Sequence, residues 1–544
     1  MGSIFRKWPP EKGHSTKSHQ KRSNSFHSLT AFSENAFPFP EIPHVPDRPR
    51  RTFDMSSIVP LNGLQSMMLR WEEFHAVNAI HLVQLGSRQN ADVVHQVIVD
   101  RCQSLGLSPV EFLKGRRTMR ISENRSVSEP LPIPFQHLKL QGTTGQGLEP
   151  FLEQELNHPF EEGWHWPIRF WFIDTEFDGQ FLALNYQHAI SDSRGISLIM
   201  RDIVQALSGN PPLSQTLDRS PPPLEKMLPE RSSFRHSAQA LFAELKTSAR
   251  CFHHPRRFQG NLSIGAGIHS HSFSTATLKQ TSGDLNVKVQ DLLFAAVLEA
   301  LWLHFFDDLK TTRRKSLGVY TPADLRRESV LNVDSTLGQI LGCITVRATP
   351  HEGIRFRELV ETVHKQTRRI KETKSYRNHA SHMSFMSRVW DCLPRWANRV
   401  VGPYLIPLTG FISNVDLSEF LTHELANGQI QNYFRFSGTG ILTPMMLGIT
   451  TLGQTLNITT THHQQIFSGS DLSRIAAHVK WRLSGEVDAV ATRQHFEQLE
   501  PSQAEPSSPG DHPASTNPPV SREVTPNAAE GSPVRLGSPA HHTA

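Results

Sequence analysis

Cysteine is scarce in this chain. Four residues, Cys102, Cys251, Cys343 and Cys392, are scattered through 544 positions with no Cys-x-x-Cys spacing. That argues against a disulfide framework or a cysteine zinc site, and it suits a reducing compartment. Long apolar runs are missing as well. Stretches such as VVGPYLIPLTGFI at 400–412 are broken by proline and glycine and are too short to span a bilayer. The first residues carry positive charge but no apolar signal-peptide core, and Pro9 and Pro10 spoil an amphipathic transit helix. MGSIFR lacks the Ser or Thr of a myristoylation signal. No solenoid-type repeat is present. The expectation is a soluble, cytoplasmic protein.

The chain is long for one hydrophobic core. Residues 1–52, with RKWPPEKGHSTKSHQKRSNS, and residues 486–544, with PSQAEPSSPGDHPASTNPPV, are too poor in aliphatics to offset their ordering entropy and read as disordered tails. Much of the net charge of +5 sits in the first tail. No folded basic patch interleaved with aromatics accompanies it, so no nucleic-acid partner is expected. The globular part divides into halves at 53–245 and 246–485, around the Pro-rich connector at 208–230.

Strand and helix patterns alternate through both halves. NAIHLVQLG (78–86) reads as a strand and ADVVHQVIVDRCQSLG (91–106) as an amphipathic helix. PIRFWFIDTEF and QFLALNYQ flank Asp178-Gly179, a hairpin signature. ISLIMRDIVQAL places Ile196, Ile199, Met200, Ile203, Val204 and Leu207 on one helical face. In the second half HSFSTATL, SLGVYTPADLRRES and GQILGCITVRA read as strands, and NVKVQDLLFAAVLEALWLHFF as a buried helix. The last helix, SGSDLSRIAAHVKWRL, takes its N-cap from Ser470 or a neighbour. The class is α/β or α+β in two similar-sized halves.

The chemistry concentrates in QFLALNYQHAISDSRG. Strand alternation puts Leu182, Leu184, Tyr186 and His188 on one face, with Gln187 on the other. An imidazole at the end of an apolar strand is partly desolvated yet reachable, and a neutral one accepts a proton from a nucleophile. Asp192 follows across a turn, placed either to orient His188 or to tie the loop to a cation. Taken alone, His-x-x-x-Asp is common by chance, and a satisfied strand-end histidine is the more frequent case.

In its wider setting the sequence resembles the CoA-dependent acyltransferase superfamily, which includes chloramphenicol acetyltransferase, condensation domains and wax-ester synthase/diacylglycerol acyltransferases. Their H-H-x-x-x-D-G signature is matched by Gln187-His188-Ala189-Ile190-Ser191-Asp192-Ser193. SIVPLNGLQSMMLRW (57–71), VQDLLFAAVLEAL (289–301), VYTPADLRR (319–327), LGQILGCITVRA (337–348) and GFISNVDL (410–417) resemble further family segments in the family's order. The resemblance implies an α/β (α+β) fold of two chloramphenicol acetyltransferase-like subdomains, each a mixed sheet with helices, around a central tunnel. It makes His188 the general base. Asp192 becomes a structural residue that fixes the loop by pairing with an arginine, Arg326 first and Arg327 or Arg194 as alternatives. Ser413 or Asn414 would supply or position a donor to the oxyanion. Gln187 replaces a histidine that is not the base. Ser193 replaces the motif glycine, which implies a differently shaped loop with Arg194 near the tunnel mouth.

The expected activity is transfer of an acyl group from a thioester to an alcohol or amine. Acyl-CoA or a phosphopantetheine thioester would be the co-substrate, with no permanently bound cofactor and no metal. The acceptor would be a small molecule or a lipid, and an acyl carrier protein is a candidate partner. The alternatives are a carrier-dependent condensation-type enzyme and an inactive relative that binds a partner. His462-His463 and His253-His254 lack metal-ligand spacing, and GNLSIGAG lacks the Lys-Ser/Thr of a phosphate loop. SRVWDCLPRWANRVV (387–401) reads as a helix lining the interface between halves ahead of a membrane-surface helix.

Overall fold

The computed structural model describes residues 56–499, apart from 114, 123–130, 141–146, 177–178, 211–215, 223, 229–249, 253–262, 273–274, 395, 399–408 and 440–442. The tail at 1–52, the later tail beyond 499, Asp178, His253-His254 and parts of the connector therefore lie outside the described residues.

The first half is built around β7 (Gln180–Gln187), whose eight residues are all buried. A strand flanked on both edges and covered on both faces is buried throughout rather than on alternate residues. It pairs antiparallel with β2 (Asn78–Leu85) and β6 (Ile168–Thr175). β5 (Phe135–Leu140) lies parallel to β6, and β12 (Ile430–Ser437) closes the other edge against β2. The first sheet is thus completed by a strand from late in the chain. Helices α2 (Ala91–Ser104) and α4 (Ser193–Leu207) bury Val94, Ile98 and Cys102, and Ile196, Ile199, Met200, Ile203 and Val204, in one core with Leu182, Leu184 and Tyr186. A small antiparallel sheet of β1 (Ser56–Pro60), β4 (Thr118–Ser122) and β3 (Val110–Phe112) stands beside α1 (Gly63–Trp71).

The second sheet has six strands in the order β10 (Leu341–Ala348), β9 (Leu317–Asp324), β11 (Gly410–Asp416), β13 (Met445–Leu452), β14 (Thr455–His463) and β8 (Ile264–Ser272). It is mixed, because β11 runs parallel to both of its neighbours. The helix Val289–His304 is buried from Asp291 to Leu303, the pattern of a helix enclosed on every side. It shares its core with Phe356–Glu372 and Gly469–Leu483.

Two expectations are corrected. HSFSTATL is not one strand: β8 ends at Ser272, and Thr275–Asp284 is helical. β8 begins earlier, in the glycine-bearing IGAG. Its glycines answer to packing rather than propensity, since a Cβ at Gly265 would lie 2.5 Å from the His462 ring and one at Gly267 2.7 Å from Thr460 Oγ1. The last long helix is capped by Ser468, near Ser470 as expected, in a box with Asp471. Ordered structure also continues past 486, because Arg493–Gln498 forms a helix that seats Phe496 in the second core.

β8 is an edge strand, and α3 (Leu148–Asn157) covers it. Residues four apart on one helix face reach its alternate N–H groups: Glu149 accepts from Ile268 at 2.8 Å, Glu153 from Ala266 at 3.0 Å, and Asn157 from Ile264 at 2.9 Å. This ladder blunts the edge against strand addition and fastens the first half to the second. Replacing Glu149 or Glu153 by alanine leaves a covered backbone donor without a partner. Each is expected to cost about 1–3 kcal/mol in urea unfolding.

Candidate functional site

The His188 turn begins where β7 stops. The His188 N–H donates to Val77 O at 2.9 Å, and Ile190 N donates to Gln187 O at 3.0 Å to close the turn. Asp192 then caps α4, accepting from Gly195 N at 3.1 Å. The motif therefore reads as strand, one turn, N-cap and helix.

Asp192 is 2 % exposed. Its carboxylate receives Arg326 Nη1 at 2.8 Å and Nη2 at 3.0 Å, a bidentate pair. Ile340 N adds a bond at 3.2 Å. Arg326 is equally buried and also contacts Asp324 Oδ1 and Thr336 O. Burial lowers the guanidinium pKa, but the charges and hydrogen bonds of Asp192 and Asp324 together outweigh that and hold it above the ordinary arginine value. Arg327 and Arg194 are exposed, and Arg194 lies 6.0 Å over the Phe420 ring.

The His188 ring is half-buried, edge-on to Tyr186 at 5.5 Å between centroids. Its Nδ1 lies 3.2 Å from Ser191 O and 3.2 Å from Gln339 Nε2. Gln339 spends both amide protons on carbonyls, His188 O at 2.6 Å and Ser191 O at 2.7 Å. The network therefore assigns the imidazole proton to Nδ1, donated to Ser191 O, and the lone pair to Nε2. Nε2 has no hydrogen-bond partner among the described residues. Burial pulls the imidazole pKa below 6.5, against the opposing effects of Ser191 and Asp192, so the ring is neutral at pH 7.

The two segments that meet here are held by α1. Its capping box uses Asn62 and Gln65. The same side chains reach on, Asn62 Nδ2 to Gln339 O at 2.9 Å and Gln65 Nε2 to Ala189 O at 2.9 Å. Helix Asn378–Cys392 packs on α1, and Met383, Met386 and Trp390 join Met67, Met68 and Ala189 in one apolar cluster. Further along the 387–401 stretch, Trp396 is 71 % exposed.

Behind the turn lies a second polar group. Ser193 sits at the first position of α4, and its Oγ accepts from Arg435 Nη1 at 3.1 Å and lies 3.4 Å from His81 Nε2. Ser413 Oγ accepts from the same Nη1 at 3.1 Å. Asn414 is half-buried, and its side chain makes no hydrogen bond among the described residues. Ser193 needs no left-handed backbone, because positive φ occurs nowhere in this turn. Gly195 is tight for space instead: a Cβ there would meet Ser191 Oγ and lie 2.9 Å from Leu337 Cδ2.

Gln187 faces away from His188. Its amide donates to both Glu72 oxygens, at 3.0 and 2.9 Å, and its Oε1 meets His165 Nε2 at 3.0 Å. A described cavity of about 310 Å³, lined by residues including Gln84, Arg88, Gln180 and Gln431, opens at the far end of β2 and β7 and shares no residue with the His188 turn.

The arrangement agrees with known folds. The chain has a TM-score of 0.58 to the trichothecene 15-O-acetyltransferase of Fusarium sporotrichioides, at 10% identity over 79% of this chain and 95% of that one. To the first condensation domain of the CDA synthetase the score is 0.55, at 14% identity over 81% and 98%. To polyketide synthase associated protein 5 of Mycobacterium tuberculosis it is 0.52, at 12% identity over 79% and 99%. The chain has the chloramphenicol acetyltransferase-like fold, in two subdomains. No protein-family model and no curated protein sequence matches it.

In this acyltransferase-like fold the structure brings together His188, Asp192, Arg326 and, one layer behind, Ser413. The sequence reading missed Gln339, Asn62, Gln65, His81, Arg435 and Glu72. Of these only the Asn62/Gln65 capping box had a local signature.

Two outcomes follow. Asp192→Ala strands a buried guanidinium and should cost about 3–5 kcal/mol in urea unfolding, while adding Arg326→Met should recover part of that loss. Burial pushes the Glu72 carboxyl up to about 7, against the lowering effects of Gln187 and Arg116. Between pH 4.5 and 7 the folded state therefore holds a proton that the unfolded chain has released, and stability falls as pH rises. Glu72→Gln should remove that slope when midpoints at pH 5 and 7.5 are compared with wild type.

Proposed function

We propose that the protein is an acyltransferase moving an acyl group from a thioester to an alcohol or amine, with His188 as general base. The observation carrying this reading is the neutral imidazole at the end of β7, proton fixed on Nδ1 and Nε2 left without a partner, at the meeting of segments from both halves. The fold shared with an acetyltransferase and a condensation domain supports it.

In the proposed step, Nε2 takes the proton of the acceptor O–H or N–H as the oxygen or nitrogen forms a bond to the thioester carbon. The carbonyl π pair moves onto its oxygen. Collapse of that oxyanion breaks the C–S bond, and the leaving thiolate takes the proton from the imidazolium. The balance needs no redox partner. Proton transfer of this kind contributes about 10²–10⁴ in rate. Asp192 acts through structure: saturated by Arg326, Gly195 and Ile340, it fixes the turn instead of polarising the ring. The co-substrate would be acyl-CoA or a phosphopantetheine thioester, entering a tunnel between the subdomains. Small-molecule or lipid acceptors fit this chemistry, and the intracellular pools of such thioesters suit a cytoplasmic setting. Among the described residues no helix is long and apolar enough to cross a membrane.

The likeness to a condensation domain favours a second reading, a carrier-dependent enzyme that joins carrier-bound partners. Thiol release from a panel of acyl-CoAs and acylated carrier protein, with mixed alcohol and amine acceptors, separates the two. Wild type should release thiol with acyl-CoA, and His188→Ala should lose about 10²-fold or more. Because the base works only when neutral and its pKa lies below 6.5, the acid limb of kcat/KM should also fall below pH 6.5. Equal thiol release from wild type and His188→Ala would leave a binding protein on this fold as the surviving account.

A further inference from the structure

Four arginines are buried among the described residues, and three have a carboxylate. Arg70 pairs with Asp391 at 2.7 Å, Arg326 with Asp192 at 2.8 Å, and Arg482 with Glu299 at 2.7 Å. Arg435, 1 % exposed, is the exception. Its five N–H groups are all used, but every partner is neutral. Nε donates to Thr450 Oγ1 at 3.0 Å, Nη1 to Ser193 Oγ and Ser413 Oγ at 3.1 Å each, and Nη2 to Ser413 O at 2.9 Å and Ile449 O at 2.8 Å. Burial brings its pKa down only to about 10, so the charge remains at neutral pH.

A buried cation without a counter-charge is costly, and an apolar side chain of similar volume would join β12 to β13 without that cost. The place where the charge sits is informative. Arg435 lies opposite His81 on the neighbouring strand. His81 stacks edge-on to Tyr186 at 5.7 Å, and Tyr186 to His188 at 5.5 Å. The guanidinium touches Ser193, the residue standing where the motif has glycine, and Ser413 on the other subdomain. A hydroxyl that accepts from a cation becomes a stronger donor through its own proton, and no described residue takes the Ser413 proton.

We propose that Arg435 is a positioning residue of the acyl-transfer site, an unneutralised charge that acts through the Ser193 and Ser413 hydroxyls and favours negative charge beside His188. This rests on the acyl-transfer reading. The negative charge is that of the thioester oxygen when its π pair moves onto it, so the effect belongs to the transition state rather than to substrate binding. Ser193 in place of glycine is then a coupling element that ties α4 to the buried charge.

The test compares full-length wild type, Arg435→Gln and Ser193→Ala for kcat and KM, with folding checked by circular dichroism, and follows the His81 imidazole by NMR titration. Arg435→Gln should lower kcat about 10- to 100-fold with KM within about twofold, and Ser193→Ala should lower kcat about 5- to 10-fold. A neutralised Arg435 would not move His81, whose pKa is held well down by burial first and the Arg435 charge second, while a merely structural role would not lower kcat at unchanged KM. Loss of the charge should raise the His81 pKa. A folded Arg435→Gln with wild-type kcat, or an unmoved His81, overturns the inference. Should Arg435→Gln fail to fold, an unchanged kcat in Ser193→Ala overturns it. Absence of turnover in wild type would remove the acyl-transfer reading instead, and the His81 titration would still decide whether Arg435 carries an unneutralised charge.

Discussion

The buried pair of Asp192 and Arg326 is the constraint from which the rest of the site follows. Neither ion tolerates its position alone, so the pair forces two segments 134 residues apart into one geometry. Saturation of the carboxylate does more than neutralise it. Gly195 N sets the first turn of α4, and Ile340 N fixes the segment entering β10. With Ile340 fixed, Gln339 faces the turn and its amide closes on His188 O and Ser191 O. That leaves Nδ1 as the donor and the lone pair on Nε2. The tautomer of one imidazole is thus set by an ion pair that does not touch it.

The serine in place of the motif glycine illustrates how local chemistry can mislead. A glycine after the aspartate suggests a backbone that only glycine adopts, and its loss suggests a reshaped loop. Here the chain enters α4 with ordinary dihedrals, and the position is open to a side chain that has a use. The steric demand has moved to Gly195, where the Ser191 hydroxyl and Leu337 occupy the space a Cβ would need.

Much of the architecture was legible in the sequence because it is local. The all-buried β7, the apolar face of α4 and the enclosed helix Val289–His304 each announce themselves by periodicity. The His-x-x-x-Asp turn and the choice of Arg326 were legible through the ordered segments of a known family. What escaped was fixed at long range. β8 carries two glycines because His462 and Thr460 lie against it, and no window of sequence reports a neighbour almost two hundred residues away. β12 leaves its own half to complete the first sheet beside β2. Gln339 and Arg435 are ordinary polar residues in strand-like surroundings, and only the fold shows that one reaches the His188 loop and the other bridges Ser193 and Ser413.

The charges around the start of α4 bear on the direction of proton flow. Asp192 and Asp324 contribute two negative charges, and Arg326 and Arg435 two positive ones. The helix terminus adds about half a positive charge more. The locus is therefore positive while His188 is neutral. An imidazolium formed there during attack adds a like charge to a partly desolvated place, which disfavours its persistence. The same field favours negative charge on the carbonyl oxygen. In the proposed acyl transfer both effects would press in one direction: the oxyanion would be sheltered until it collapses, and the proton held on Nε2 would be readily released to the departing thiolate. Under that proposal the base would cycle within a single turnover without the aspartate ever sharing its proton.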